Sequence, residues 1–299
     1  SLAAETYLLE EVAPRADAID REFEAVRDAY RGLASLGLLA LRRPMQYGGP
    51  DWDDLKFRWF QEEVARSSGA LAFLQTQHQS AVGLIARGSN EGLKERVLPG
   101  AHDGTFGCGI AFSQLRRPGP PMLRAEPTSD GYLFEGSAPW ATGAGIYQHL
   151  LAAAELPDGR AVFAVVPFGS NGEGKGLIDL GPTMQVAAMQ SANTVEVFFR
   201  DWHVSDEDVV EIKPPKWIHR NDQIQIAVQG FFAVGCARAG LDLVLARYEK
   251  TGDRTILAAW EALDREVGEC RDALEAAQAR SGEETTDEKL RLRAWVIDL

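Results

Sequence analysis

Cysteine is scarce in this sequence of 299 residues: Cys108, Cys236 and Cys270 are the only three, and they lie far apart. An odd, scattered set without metal-type spacing excludes a disulfide framework, and a reducing compartment, the cytoplasm, is the expected setting. Positive charge is in deficit. Against 44 Asp and Glu there are 31 Lys and Arg, a formal net charge of −13. That balance argues against nucleic acid or an anionic membrane as the main partner, while leaving room for a local basic pocket. No apolar run approaches membrane-spanning length, so no membrane span is expected, and the N-terminus carries no signal-peptide pattern. Histidine is sparse too. His78 falls on an apolar helical pattern and reads as a satisfied core residue, His203 follows Trp202 at a strand end, and His219 sits in a linker. None has a partner at nucleophile or metal spacing, so no metal site is assigned. The glycines of residues 169–176 lack the strand–loop–helix context of a P-loop or dinucleotide fingerprint.

What is present is the composition of a soluble globular protein, 45% hydrophobic and 25% charged, long enough for two or three domains. Residues 2–36 repeat apolar positions at helical spacing, with Leu8, Leu9, Val12 and Ala16 on one stripe and Phe23, Val26, Tyr30, Leu33 and Leu36 on another. Gly37 fits a helix end. Residues 38–44 read as a short extended piece and residues 47–50 as a loop. Asp53 or Asp54 caps a third helix running to about Ser67, residues 70–87 form a buried fourth, and residues 90–98 a charged fifth. From Gly104 the texture changes to short alternating strands, among them residues 132–135, 150–154, 161–166 and 194–199, with Asp158-Gly159 as a hairpin turn. Helices return over residues 224–249, rich in Gly and Ala, then 257–279 and 286–299. Residues 281–288 read as a solvated acidic loop in which Thr285, Thr286 and Asp287 cap the last helix. The expected domains are a helical 1–103, a β-rich 104–215 and a helical 216–299.

The stretch that organises the rest is residues 131–145. Tyr132, Leu133 and Phe134 are strand formers, Glu135-Gly136 reads as the turn of a tight hairpin, and Trp140 and Thr142 have the two-residue spacing that puts both side chains on one face of an extended segment. An indole beside a hydroxyl, closed by Gly143, suits a wall for a flat aromatic ligand. Equally, Trp140 serves as a core anchor and Thr142 as an ordinary strand residue. From the residues alone both readings stand.

The order of the three regions resembles the acyl-CoA dehydrogenase family of flavoproteins. Pro44-Met45-Gln46-Tyr47-Gly48-Gly49 is similar to its "P-x-x-Y-G-G" loop, Glu62-Glu63-Val64-Ala65-Arg66 to "E-E-L-A-R", and residues 88–99 to "G-T-E-E-Q-K-x-R-Y-L-P". Asp130-Gly131-Tyr132 followed by Trp140-Ala141-Thr142 resembles "D-G-Y-x-L-x-G-x-K-x-W-I-T", residues 197–204 the closing strand, and Gly235-Cys236-Ala237-Arg238-Ala239-Gly240-Leu241-Asp242 the helix "G-x-A-R-A-A-L-D". The resemblance implies an α+β, multidomain fold: an N-terminal helical domain, a central antiparallel β-barrel or sandwich, and a C-terminal helical bundle that is incomplete in this chain. It implies FAD between the β-domain and the helices, with Trp140 packed by the isoalloxazine and the Thr142 hydroxyl near the reactive N5.

Further roles follow from the same resemblance. Ser113 stands in for the Thr of the flavin loop, whose acidic residue is gone. Arg116 and Arg117 are new there, and they either hold a pyrophosphate or CoA phosphate or are solvent-facing charges. The implied activity is α,β-dehydrogenation of an acyl thioester, a small-molecule substrate, by a homodimer or homotetramer. Removing a proton alpha to a thioester needs a carboxylate, and the position that carries it in a minority of relatives is Gln225 here, beside the acyl and CoA path. No catalytic residue is therefore assigned. The "R-x-x-F-G" motif is replaced by Glu249-Lys250-Thr251-Gly252-Asp253-Arg254. A flavin-dependent monooxygenase on the same fold, which needs no carboxylate base, and a non-catalytic binding or assembly module are the alternatives. Phe231-Phe232 either narrows the pocket for a short substrate or fills the core.

Overall fold

The computed structural model describes residues 2–172, 174, 176–280 and 286–299. Thr285 of the expected cap, residues 281–284 of the expected acidic loop and two of residues 169–176 lie outside the described residues. Helix α1 (Leu2–Tyr7) continues through a π-helical turn and a 3-10 turn at Pro14 into α2 (Ala16–Arg21), and α3 (Phe23–Ser35) follows. Gly37 ends it at φ +69°, a left-handed conformation that only glycine adopts without strain. Helices α4 (Asp54–Ser67), α5 (Gly69–Arg87) and α6 (Glu91–Val97) each begin on a side-chain cap. Asp53 accepts from the Lys56 amide, Ser68 from Leu71 and Asn90 from Leu93. Residues 38–44, expected as an extended piece, are irregular turns instead. The Gln79 side chain on α5 replaces a strand partner there, donating to the Leu38 carbonyl at 2.8 Å and accepting from the Leu41 amide at 2.9 Å.

Eight strands form one sheet: β1 (Cys108–Ala111), β2 (Leu123–Pro127), β3 (Gly131–Thr142), β4 (His149–Glu155), β5 (Ala161–Pro167), β6 (Leu177–Leu180), β7 (Thr194–Ser205) and β8 (Val209–Lys213). The spatial order is β6-β7-β3-β2-β4-β5-β8, with β1 beside β4. Most pairings are antiparallel, as expected for the middle region, but β1 and β2 each run parallel to β4. Strands β4 and β5 are apolar on both faces because alternate residues join one cluster with α1 to α4 and the start of α5, and another with the end of α5, α6 and β1. The expected hairpin turn at Glu135-Gly136 does not exist. β3 runs straight through it with a bulge between Phe134 and Gly136, and a Cβ on Gly136 would lie 2.0 Å from the Met122 carbonyl. The glycine is there for close strand approach, not for reversal. Asp158-Gly159 does close the β4–β5 hairpin, with the Leu156 amide donating to Arg160.

The last region is α7 (Trp217–Thr251), α8 (Arg254–Ala279) and α9 (Thr286–Asp298). α7 starts earlier than its periodicity suggests, so His219 lies in its first turn rather than in a linker. By length and composition alone a window of α7 is apolar enough to cross a membrane, as core helices also are. In the fold α7 packs on α4, α8 and α9. Its approach to α4 is close: a Cβ on Gly235 would meet the Glu62 carbonyl at 2.3 Å. At this crossing the Glu62 carboxylate, 2% exposed, accepts from Arg238 of α7 at 3.0 Å and Arg271 of α8 at 2.6 Å. Asp242, exposed on α7, is held bidentate by Arg66 of α4 at 2.6 and 2.7 Å.

His78 is the satisfied core residue expected. Fully buried on α5, its Nδ1 accepts from the Cys108 amide at 3.0 Å and its Nε2 donates to the Ala101 carbonyl at 2.7 Å, so one neutral ring joins three segments. The ring stacks on Tyr147, which meets Tyr30 edge-on at 5.5 Å, and the Tyr147 hydroxyl donates to the Leu74 carbonyl.

Glu62→Ala leaves two arginines without their shared buried carboxylate and is expected to cost about 3–5 kcal/mol, read from urea denaturation. Burial pushes the His78 imidazole below its ordinary value of 6.5. The unfolded chain then binds a proton that the folded chain refuses, so stability is lost as pH falls below 6.5, by up to about 1.4 kcal/mol per pH unit from this group. His149 is shifted the same way by burial. His78→Gln is expected to flatten the drop in urea midpoint between neutral pH and pH 5.5 relative to wild type.

Candidate functional site

The site grows from the far end of β3. Ala138 pairs with Val197, but Ala141 pairs with Val195, so one extra residue is accommodated around Pro139-Trp140. Proline has no amide hydrogen to give to the ladder, and a bulge is where a strand tolerates it. The bulge turns the indole outward. Trp140 is 40% exposed while Ala138 and Ala141 on either side are fully buried. The exposed Phe198 lies on the neighbouring strand, opposite Ser137.

Past the bulge the register resumes. Thr142 sits opposite Thr194, and their hydroxyl oxygens are 3.0 Å apart. Both residues are buried, at 1% and 5% exposure. Trp140 and Thr142 are therefore not equivalent members of one open face: the indole projects and the hydroxyl is roofed. The next residues lock this end to the approach of β7. The Gly143 amide donates to Ala192 at 2.8 Å, and the Asn193 side chain donates to the Ala144 carbonyl at 2.7 Å. Gly143 has φ +96°, and a Cβ there would fall 2.3 Å from the Tyr147 ring.

Ser113, half-buried, opens a 3-10 turn, Ser113–Arg116, directly after β1. This turn packs against both β3 and α7, so the structure brings it to the corner between the Trp140 strand and the helix. Gln114 anchors the turn, donating to the Ala153 carbonyl at 2.8 Å, while its side-chain oxygen is buried without a partner among the described residues. Arg116 forms a bidentate pair with Asp222 of α7, both bonds 2.7 Å. Arg117 is exposed, and among the described residues its guanidinium hydrogen-bonds only to the Met122 sulfur, at 3.6 Å. Gln225, half-buried, stands one turn along α7 from Asp222. Ser113 and Arg116 thus lie on the turn that packs against the first turns of α7, which carry Asp222 and Gln225, whereas Arg117 points to the β2 side. Phe231 is fully buried in the α7–α8–α9 core with the Arg58 guanidinium 5.6 Å from its ring centre, so it fills the core.

Sequence reasoning missed Thr194, Asp222 and Gln114. Thr194 faces its partner only through strand register, 52 positions away, and nothing local marks it. Asp222 carried a weak signal, an acidic residue at the start of the helix that also bears Gln225.

A helical layer, a mixed sheet and a long-helix layer with this corner between them define the acyl-CoA dehydrogenase fold. Residues 2–105 match the model of the acyl-CoA dehydrogenase N-terminal domain. Over 276 residues, 88% of this chain, the sequence is 28% identical to mitochondrial isovaleryl-CoA dehydrogenase of Pongo abelii and covers 62% of that protein's length. The fold superposes on a probable acyl CoA dehydrogenase from Mycobacterium abscessus with a TM-score of 0.81 at 18% identity, covering 99% of this chain and 84% of the other. An acyl-CoA dehydrogenase from Bacillus anthracis complexed with FAD gives a TM-score of 0.75 at 17% identity, covering 99% and 53%. The chain is similar to acyl-CoA dehydrogenases in fold and, at 28% identity, in sequence, and it spans less than two thirds of the length of the isovaleryl-CoA dehydrogenase it matches.

The bulge geometry separates two substitutions. Trp140→Ala removes an outward side chain and is expected to change folding stability by less than about 1 kcal/mol. Gly143→Ala forces a Cβ into Tyr147 at a left-handed φ and is expected to cost more than about 1 kcal/mol. Urea denaturation of both, side by side, checks the contrast.

Proposed function

We propose that this protein is an FAD-dependent oxidoreductase of acyl-CoA dehydrogenase type acting on an acyl thioester. The observation that carries it is the β3 end: a bulge that holds an indole out of the core beside a buried pair of hydroxyls. These residues fit the isoalloxazine end of the cofactor. The indole finds no ring partner among the described residues, and the hydroxyl pair has more hydrogens than protein acceptors. FAD bound there supplies the acceptor for a hydride leaving the beta carbon. Trp140 would provide a face or edge for the flat ring, whereas Thr142, 1% exposed, would support that end of the strand from beneath and reach N5 only if uncovered. Arg117, without a carboxylate partner among the described residues, is available to phosphate, and Arg116 spends its fork on Asp222. The Gln225 amide can orient a carbonyl but cannot take the alpha proton.

Oxygen transfer on the same fold is the second reading, and the amide at Gln225 favours it because no carboxylate base is required. The proposal extends to a homodimer or homotetramer and to the cytoplasm. Support for the first is the apolar face of the C-terminal helices, where Leu243 is 75% and Ile297 63% exposed. The three unpaired cysteines support the second.

The visible spectrum of the purified protein, with and without added FAD, tests the reading. Bands perturbed from free flavin, lost in Trp140→Ala/Thr142→Val, are expected. Bleaching of those bands by a saturated acyl-CoA then selects dehydrogenation. Oxygen consumption dependent on a reduced nicotinamide, without bleaching, selects oxygen transfer. Absence of binding at tens of micromolar FAD, in folded protein, overturns both.

A further inference from the structure

We propose that Glu196 tunes the site electrostatically: its carboxylate, set on the solvent side of β7 beside Trp140, holds down the reduction potential of a flavin ring bound on the indole. This rests on the flavin reading above. Strand register places the group. Ala138 pairs with Val197 and Ala141 with Val195, so Glu196 stands opposite the Pro139-Trp140 bulge. Val195, Val197 and Phe199 of β7 are buried, and Glu196, Phe198 and Arg200 alternate with them on the outer face. Neighbouring strands lie about 4.8 Å apart, so the carboxylate and the exposed indole share one accessible surface. A hydrogen bond fixes it there. The Ser137 hydroxyl of β3 donates to Glu196 Oε1 at 2.8 Å.

Two features let this charge act on a neighbouring ring. Its side-chain partner is a neutral hydroxyl, and no Lys or Arg pairs with it among the described residues. Its surroundings are also only partly wet, since Glu196 is half-buried. Phe198, 36% exposed, is the next outward residue of β7. Gly181 closes the β6 side: a Cβ built on it would lie 3.5 Å from the Glu196 Cβ and 3.6 Å from the Phe198 ring, and its amide donates to the Glu196 carbonyl at 2.8 Å. Apolar neighbours lower the local dielectric, so a charge here reaches further than one standing free in water. A flavin ring gains negative charge when it takes up a hydride, and a carboxylate beside it opposes that gain. The neutral oxidised ring feels the carboxylate far less. Glu196 therefore weakens binding of the reduced ring relative to the oxidised one, which by linkage is a lower reduction potential. Such a ring yields its electrons more readily to the next acceptor.

The experiment compares wild type, Glu196→Gln, Glu196→Asp and Glu126→Gln, each loaded with FAD, for midpoint potential, with FAD affinity and urea midpoints recorded alongside. Glu196→Gln is expected to raise the ratio of reduced to oxidised affinity about tenfold, an upward shift of about 30 mV for a two-electron couple. Its affinity for oxidised FAD is expected to stay close to wild type. Glu196→Asp keeps the charge and is expected to hold the wild-type potential. Glu126→Gln removes an equal charge from an exposed position of β2 opposite Leu133, far along the sheet from the bulge. An unchanged potential there separates a local field from the net charge of the chain. Should Glu196→Gln fold poorly, Glu196→Ala carries the same comparison. A wild-type potential in both Glu196→Gln and Glu196→Ala, or an equal shift in Glu126→Gln, overturns the proposal and leaves the flavin reading standing. Wild-type protein that binds no FAD removes the flavin reading itself, and the tuning role with it.

Discussion

One buried carboxylate holds the layers of this molecule in place. Glu62 on α4 has almost no access to water and receives one arginine from α7 and another from α8. A charge so enclosed is tolerable only when its oxygens are fully bonded. The position of the two C-terminal helices on the first helical layer is therefore dictated at one point. Gly235 allows the approach, since any side chain there would strike the α4 backbone. The outer pairs, Arg66 with Asp242 and Arg58 with Glu275 at 2.9 Å, extend the junction along α4.

From that junction α7 reaches the sheet, and its first turns face the loop that follows β1. The corner so formed is polar on the helix side, through Asp222 and Gln225, and aromatic on the strand side, through Trp140. No single element makes it. The helix depends on the Glu62 junction, the strand on a proline-centred bulge, and the intervening turn on Gln114. Each piece is tied down by its own contacts: the helix at Glu62, the end of the strand at Gly143, and the turn through Gln114 and the Arg116–Asp222 pair.

Much of this was legible in the sequence, and the failures have a common cause. Helices α4 to α6 were readable because caps and apolar spacing are local signals, and Asp53, Ser68 and Asn90 all cap as their residue types favour. Glu135-Gly136 misled because a turn and a bulge use the same residue, and only the proximity of Met122 decides between them. Residues 38–44 misled because their partner is a side chain, Gln79, rather than a strand. In the site, the Trp140–Thr142 spacing pointed to one face, yet the bulge and the roofing by β7 gave the two side chains different environments. Thr194 and Asp222 acquire meaning only from strand register and helix placement, which no spacing along the chain encodes. The motif resemblance located Glu62 without showing that it is buried between two arginines.

The aromatic stack beneath the site carries a consequence for the protein in alkali. Tyr30 and Tyr147 are both buried, and burial raises both phenols well above their ordinary value. Of the six tyrosines in the chain, burial makes these two resist ionisation while the His78 stack is intact. The ultraviolet absorbance of phenolate thus divides into a reversible part from the accessible rings and a part that appears only as the layers come apart. The core beneath Gly143 carries its own optical gauge of whether the sheet is still seated on α5.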